Sequence, residues 1–579
     1  MDHHNAEPIT GVDVPIVGSD KRLSSATSVG NLDAEKVLSA FGKFGKYQMM
    51  AYILLNSVAV LYSSQMMIMG FISIAPKFEC NIQQPEEGPQ WQYTIIDRCY
   101  VADSNNWTIA CNDIPNASFN FNETSPRSTL NSEFNLVCRD EHWAQHASSL
   151  FMLGGMIVTP FLTQLSDLHG RRYTFLIPLW TAVAAALACS IAPTYGLFLF
   201  FRFVAGVGTT GYSTIGWVLS CESVSVEFRS LIPLVGTFTW VAGIMMVGAL
   251  RIFIGNWRWL YFAISVPGLL TISYYWLLPE SLHWMITHNR SKGISRYIKA
   301  SSRFNKIRVS LPECKSTAIK PIEEKSRTFL DMIKSKAIVF HLIVHCLIIM
   351  IMNATYWGLA LFSTKLSDDS YTGYFLSGLI EIPAGLLCIP LLVKFGRRTI
   401  TFWCLALQGI SMGAAILYPG PGTIEMIFPV AAKLFNSIVW SSEPLLLAEM
   451  SPTSIRNTFY GVVQFFGEIG SVVAPYLELL KEVDERAPQA IVAALSTAAA
   501  LLVLTAPETK DKPMPEDLDQ FDAGCLLKRF ACCAKNRTKE AKECNYTEFS
   551  AMLPTIHEEN TIGLNDVVDG EKKKINEVV

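Results

Sequence analysis

Three charged side chains lie where the surrounding sequence is apolar. Glu381 sits in "GLIEIPAG" (378–385), Lys433 in "VAAKLFNS" (430–437) and Glu468 in "YGVVQFFGEIGSVVAPY" (460–476). An ionised group at the centre of an apolar helix costs about 2.5–3.5 kcal/mol on insertion scales. It persists by facing water, by pairing with an opposite charge or by taking up a proton. Lys433 is expected to pair with Glu381 or Glu468 and so to neutralise one of the two carboxylates. The carboxylate left over attracts an ammonium in a low-dielectric setting and repels a carboxylate. The alternative is a buried structural cluster that touches no substrate.

Aromatic rings supply the second element of a cation site, because a ring face attracts an ammonium by about 0.5–2 kcal/mol. The candidates are Tyr356 and Trp357 in "NATYWGLAL" (353–361), Trp440, and Phe465 and Phe466 beside Glu468. His341 and His345 have the i, i+4 spacing that suits a metal, but no third ligand type is near in sequence, so packing or cavity lining is expected of them. "GVGTTG" (206–211) lies inside an apolar run, where small residues let helices approach. The sequence shows no phosphate-binding loop, nucleophile elbow or metalloprotease signature. No cofactor, enzyme activity or nucleic-acid partner is expected.

The elements that must hold these side chains follow from hydropathy. Of 579 residues, half are hydrophobic and 17% are charged, and the mean hydropathy is +0.29. A membrane-crossing helix needs about 20 mostly apolar residues. Such runs fall at 48–75, 144–165, 173–192, 195–220, 231–254, 257–278, 338–361, 371–393, 399–418, 423–447, 459–480 and 488–506. The expected fold is an all-α membrane protein of twelve transmembrane helices. No secretory signal peptide is visible in residues 1–46, and the first run is read as the insertion signal. Arg and Lys cluster in "HGRRY" (169–173), "EFRS" (227–230), "KFGRR" (394–398), "SIRN" (454–457) and the segment 279–337. Positive residues mark the cytoplasmic side, so both termini and the central loop are expected there. The long loop 76–142 then faces outside. It carries glycosylation sequons at Asn106, Asn116 and Asn122, and also Cys80, Cys99, Cys111 and Cys138. Four cysteines there read as two disulfides with three possible connectivities.

Three features recur at a near-constant offset. "GRR" starts at Gly170 and Gly396 (396 − 170 = 226), a glutamate precedes an arginine by seven at Glu222/Arg229 and Glu449/Arg456 (449 − 222 = 227), and "PES" at 279 is echoed by "PET" at 507 (507 − 279 = 228). The chain therefore reads as a tail (1–46), a six-helix half (47–278), a central loop (279–337), a second half (338–506) and a tail (507–579). Parallel six-helix halves are a transporter architecture with its site at the midplane. Asp167, Arg171, Arg172, Glu222, Arg229, Arg397, Arg398, Glu449 and Arg456 are expected to form charge pairs that latch the halves across the cytoplasmic face.

"SDLHGRR" (166–172), "PESLHW" (279–284) and "PETKDKPMPED" (507–517) resemble motifs of the major facilitator superfamily. The Cys-rich loop ending in "SEFNLVC" (132–138), with "YYWLLPESLHWM" (274–285) and "AEMSPTSIRN" (448–457), resembles the organic cation/anion/zwitterion transporter family within it. The resemblance runs from about 45 to 517. It implies the major facilitator fold and the movement of small ammonium compounds across the plasma membrane by alternating access, with membrane lipid as the surround. In that family the place of Glu468 carries Asp in cation transporters and tends to carry Arg in anion transporters. The resemblance also implies a Glu at 381 and an aromatic at 356. Two features depart from the pattern: a tryptophan is missing from "HCLIIMIMN" (345–353) and a basic residue from "GTTGYSTIGW" (208–217). Potential-driven uniport is expected. The alternatives are a carnitine-like zwitterion, its carboxylate on Lys433, and a receptor that binds without moving its ligand. Substrate-binding residues on this reading are Glu468, Glu381, Tyr356, Lys433, Trp357 and Phe465.

Sidedness is directly testable. Removal of N-glycans from the chain made in animal cells is expected to lower and sharpen its gel band. The Asn106→Gln/Asn116→Gln/Asn122→Gln variant then runs at that position untreated. An unchanged mobility places the loop on the cytoplasmic side.

Overall fold

In a computed structural model, residues 34–42, 45–74, 78–82, 94–95, 99–102, 108–114, 117–121, 128–225, 232–288, 290–307, 334–361, 370–418, 423–452, 455–510, 512, 515 and 518–524 are described. Residues Met1–Phe521 form one compact unit, and Asp522–Val579 a second of which only 522–524 are described.

Each apolar run is helical. The segments are α1 Lys46–Ile72, α2 His142–His169, α3 Arg171–Ile191, α4 Tyr195–Ser223, α5 Ile232–Phe253 and α6, which starts at Trp257–Ser265 and continues to Leu277. The second half holds α7 Lys336–Leu361, α8 (Ser370–Leu379 and Glu381–Lys394), α9 Arg397–Leu417, α10 Thr423–Met450, α11 (Arg456–Val473 and on to Glu482) and α12 Ala487–Val503. Eight helical stretches among the described residues are long and apolar enough to cross a membrane by length and composition. Their outward faces carry large exposed apolar side chains such as Phe161, Ile177, Phe253, Leu270, Val393 and Leu417, the surface a bilayer covers.

Local chemistry sets the breaks. Between α3 and α4 Pro193 ends one helix, and the Thr194 side chain accepts from Leu197 N–H to start the next. The latter parts of α6 (Val266–Ser273) and α11 (Ala474–Glu482) tighten to 3-10 geometry, each with a proline, Pro267 or Pro475, in its first turn. Proline removes a backbone donor there.

One end of the bundle, here the loop face, carries the segment after α1. Phe78–Ile82 pairs antiparallel with Ala117–Phe121, and Thr94–Ile95, Tyr100–Ala102 and Thr108–Ala110 make a three-stranded sheet. Of the three connectivities left open by sequence, the structure has Cys80–Cys111 and Cys99–Cys138. Asn106, Asn116 and Asn122 lie outside the described residues. The segment is fastened to the bundle through Glu133, which accepts from Trp257 Nε1 at 2.6 Å and pairs with Arg258 at 2.5 Å.

The opposite end, the motif face, differs from expectation at the central loop. Residues 279–337 are not simply a linker, because Leu282–Thr287 and Ser291–Asn305 are helices. They share an apolar core with Ala34, Val37, Leu38 and Phe41. Gln48 of α1 donates to Ser301 Oγ at 3.0 Å, and Tyr47 N–H to Asn305 Oδ1 at 2.9 Å. The polar positions of this amphipathic helix point outward and the apolar ones inward.

The two halves meet through α2 with α11 and α5 with α8. Ser149 donates to Val472 O at 2.8 Å, Gln145 to Glu478 at 3.0 Å, and Tyr476 hydroxyl lies 2.9 Å from His146 Nδ1. Tyr374 donates to Ile244 O at 3.1 Å. All of these lie toward the loop face.

Glycines set how closely helices pack. A Cβ on Gly470 of α11 would strike Met350 O of α7, whereas one on Gly413 of α9 meets nothing within 4 Å. Gly470→Ala is therefore expected to lower stability by about 1–3 kcal/mol, and Gly413→Ala to leave it unchanged or raise it by up to about 1 kcal/mol. Thermal unfolding of the purified variants reads both; equal effects would refute the packing argument.

Candidate functional site

The charged residues of the apolar runs converge from α7, α8 and α10. Lys433 Nζ lies 3.0 Å from Glu381 Oε1 and donates to Ser377 Oγ at 2.8 Å. Tyr356 hydroxyl donates to the same Glu381 oxygen at 2.8 Å. Lys433, Tyr356 and Glu381 are 2%, 5% and 6% exposed. A buried ion pair recovers its desolvation cost only when further hydrogen bonds complete it, and Ser377 and Tyr356 are those bonds. Of the two partners open to Lys433, the structure chooses Glu381.

Aromatic rings close around this pair from both halves. The Lys433 ammonium stands 5.6 Å from the Tyr356 ring centroid. Trp440 packs edge-on to Tyr356 at 5.4 Å, and Trp357 lies 5.1 Å from it. The first half contributes Trp240 of α5, whose Nε1 donates to Tyr356 hydroxyl at 3.2 Å. Tyr62 of α1 lies 5.2 Å from Trp240. Sequence reading missed Trp240 and Tyr62. The available signal was Trp240 itself, a tryptophan in mid-helix, away from the helix ends where aromatic belts sit.

Glu468 is half-buried on α11 and makes no ion pair among the described residues. Its neighbours Gly467 and Gly470 bring α11 against Ile349–Ala354 of α7, just before Tyr356. Tyr62 lies within electrostatic reach of its carboxylate. Phe465 and Phe466 pair with each other at 5.5 Å rather than with the aromatic group around Tyr356, and Phe466 is 47% exposed. Basic character in α4 sits outside the 208–217 stretch: Arg202 is buried, donates to Tyr261 hydroxyl at 2.8 Å and lies 4.2 Å over the Phe151 ring.

The motif residues form two matching clusters. In the first half Arg171 pairs with Asp167 at 2.8 Å and with Glu222 at 3.3 Å. In the second, Arg397 pairs with Glu449 at 3.1 Å. Arg456 donates to Ser451 O at 3.2 Å, and Arg229 lies outside the described residues. These three ion pairs, Arg171–Asp167, Arg171–Glu222 and Arg397–Glu449, each lie within one half. The reason is geometric: the arginine after each glycine starts a helix beside the end of α4 or α10, within reach of that helix's own acid.

The acids of "PES" and "PET" cap those helices, a role sequence reading did not assign. Glu280 accepts from the N–H groups of Arg171 at 2.8 Å and Arg172 at 3.1 Å. Glu508 accepts from Arg398 N–H at 3.3 Å and Thr399 N–H at 3.2 Å. A helix N-terminus favours such an anion. The glycine of "GRR" makes room, since a Cβ on Gly170 or Gly396 would strike the capping carboxylate, and Gly170 also has φ +102°. Burial pushes the Glu280 carboxyl up, and the N–H bonds of Ser281, Arg172 and Arg171 draw it back. Arg172 and Arg398 also donate to the carbonyls of Tyr275 and Ala506. Residues 507–510 therefore belong structurally to the second half, not to a tail.

The Major Facilitator Superfamily profile matches residues 116–475. An organic cation transporter protein of Drosophila melanogaster is 29% identical over 84% of this chain and 94% of its own. A putative transporter of Caenorhabditis elegans is 27% identical over 87% of each, and human solute carrier family 22 member 2 is 27% identical over 77% and 84%. Among solved structures, the inward-open xylose transporter XylE of E. coli superposes with a TM-score of 0.57 over 82% of this chain and all of that one, at 14% identity. That likeness speaks to the fold.

Removing one partner of a completed buried pair leaves the other charged and alone. Lys433→Met is expected to cost about 3–5 kcal/mol, and the Glu381→Gln/Lys433→Met double variant to recover most of it. Simple additivity of the two single losses in thermal unfolding would sink the pairing argument.

Proposed function

The chain belongs to the Major Facilitator Superfamily, and from that premise we propose that it moves small organic ammonium compounds across the plasma membrane by alternating access. One observation carries this reading. Glu381 is already neutralised by Lys433 at 3.0 Å, while Glu468 has no cationic partner among the described residues. The three charges sum to −1, which one monovalent cation offsets. Tyr356, Trp240 and Tyr62 supply ring faces from both halves, and such faces hold ammonium groups. The names of the relatives, organic cation transporter protein among them, support the same class.

In this reading the chain crosses the membrane twelve times, with the motif face and both termini in the cytoplasm. Glu468 receives the guest charge. Glu381, Lys433, Tyr356 and Trp357 shape the opposite wall, and Phe465 flanks Glu468. The arginine and acid clusters keep each half rigid as it rocks. The inter-half bonds at Ser149, His146 and Gln145 must break when the loop face opens. A zwitterion fits less well, because Lys433 is 2% exposed and engaged with Glu381 and Ser377, which leaves no ammonium to meet its carboxylate.

The membrane potential suffices as a driving force. It supplies about 2.3 kcal/mol per charge per 100 mV, equivalent to roughly 50-fold accumulation of a monovalent cation. Uptake of a labelled quaternary ammonium in voltage-clamped cells is therefore expected to rise as the interior is made more negative. Glu468→Gln should reduce uptake at least tenfold with the protein still at the cell surface. Wild-type rates from a surface-expressed Glu468→Gln protein would overturn the assignment.

A further inference from the structure

A second charged pair lies outside this site. His345 Nδ1 of α7 is 2.8 Å from Glu443 Oε1 of α10, and both side chains are fully buried. Their remaining polar atoms, His345 Nε2 and Glu443 Oε2, have no hydrogen-bond partner among the described residues. The Lys433–Glu381 pair is completed by Ser377 and Tyr356; this one is left half-finished. An unfinished buried pair is poor structural material, because each orphan atom carries its desolvation cost in full. What both orphan atoms can accept is a proton.

The charge states make this concrete. With His345 neutral and Glu443 ionised, the buried pair carries −1, which is costly in a dry interior. One added proton gives imidazolium beside carboxylate, with a net charge of zero. Uptake or release of that proton requires water to reach Nε2 or Oε2.

The pair is placed to influence the cation site. Tyr356 and Lys433 ride on the same two helices, 11 residues (356 − 345) and 10 residues (443 − 433) away. At 1.5 Å rise per residue that is about 15 Å, toward the motif face. The titratable groups facing the pair are few. On α7 they are His341, its ring 6.3 Å from that of His345, and Cys346. Tyr460 faces from α11, Cys388 of α8 hydrogen-bonds Ser441, and Cys404 of α9 lies near Cys388. Farther toward the motif face Arg397 and Glu449 are paired with each other.

We propose that His345 and Glu443 form a proton-binding site that opposes the organic cation. Occupied, it lowers the affinity of the Glu468 site; empty, it raises it. This rests on the transport reading above. Two unit charges about 15 Å apart at an effective dielectric of about 20 disfavour one another about sixfold.

The test uses the full chain in proteoliposomes, with tetraethylammonium as the probe and equal pH on both sides. Raising pH from about 5.5 to about 8, the range in which histidine titrates, should lower the KM about sixfold. Glu443→Gln and His345→Asn should each flatten that dependence. Should the single variants fail to insert, the His345→Leu/Glu443→Leu double variant removes both charges at similar volume and should be equally flat. A pH-independent wild-type KM overturns the proposal, as does a dependence that survives these substitutions. A chain that carries no tetraethylammonium at any pH refutes transport instead. The pair is then read from infrared spectra of the reconstituted protein. An imidazole ring band that shifts with pH in the wild type and is lost in His345→Asn supports a proton site; its absence overturns it.

Discussion

Charge compensation in an apolar interior governs this structure. Lys433 could not stay on α10 without Glu381, and the pair could not stay buried without Ser377 and Tyr356. Those four side chains fix the relative rotation of α7, α8 and α10, because each must deliver an atom to within hydrogen-bond distance of one carboxylate or one ammonium. The same logic leaves Glu468 exceptional. It has the burden of a charge in an apolar setting and no cationic partner among the described residues. Its half-buried position spares it part of the desolvation cost that a fully enclosed acid would bear.

The motif face solves a different problem with the same currency of charge. Each half must hold a helix start against the end of another helix. Each does so with an acid on backbone N–H groups and an arginine on a second acid: Glu280 with Arg171 and Glu222, then Glu508 with Arg397 and Glu449. Because these bonds are internal to a half, they need not be broken when the halves move. What joins the halves toward the loop face includes neutral hydrogen bonds such as Ser149 to Val472 and Tyr374 to Ile244, beside the Gln145 amide on the Glu478 carboxylate. A neutral hydrogen bond contributes about 0.5–1.5 kcal/mol, roughly half of a charged one. Strong bonds inside each half and weaker ones between them are what rigid-body rocking requires.

Most of the architecture was legible in the sequence because it rests on period and composition. Apolar runs gave the helices, Pro193 gave the α3/α4 break, and the 226–228 residue offsets gave two clusters with matching chemistry. The Lys433 partnership was narrowed to two acids, and only packing could choose between them. What escaped were contacts that need the third dimension. Glu280 and Glu508 sit in motifs plain to the eye, yet their role as helix caps depends on a helix start more than a hundred residues earlier. Glu222 pairs with Arg171, 51 residues away, a partnership that the sequence spacing does not announce. Trp240 and Tyr62 belong to the other half, and no local pattern ties them to Tyr356.

That last gap is informative about mechanism. The acids that would hold a guest, Glu381 and Glu468, both lie in the second half, whereas the rings that face the cluster come from both. Trp240 Nε1 donates to the very hydroxyl that donates to Glu381. One hydrogen-bond chain thus runs from α5 through α7 to α8, across the boundary between the halves. A charge placed beside Glu381 or Glu468 alters the polarity of that chain, and hydrogen bonds in series strengthen or weaken together. A guest held there would therefore be sensed by the first half even where it touches only the second. This is the physical link by which occupancy can bias one arrangement of the halves over another, since a ligand shifts an equilibrium only through its differential contacts with the two states.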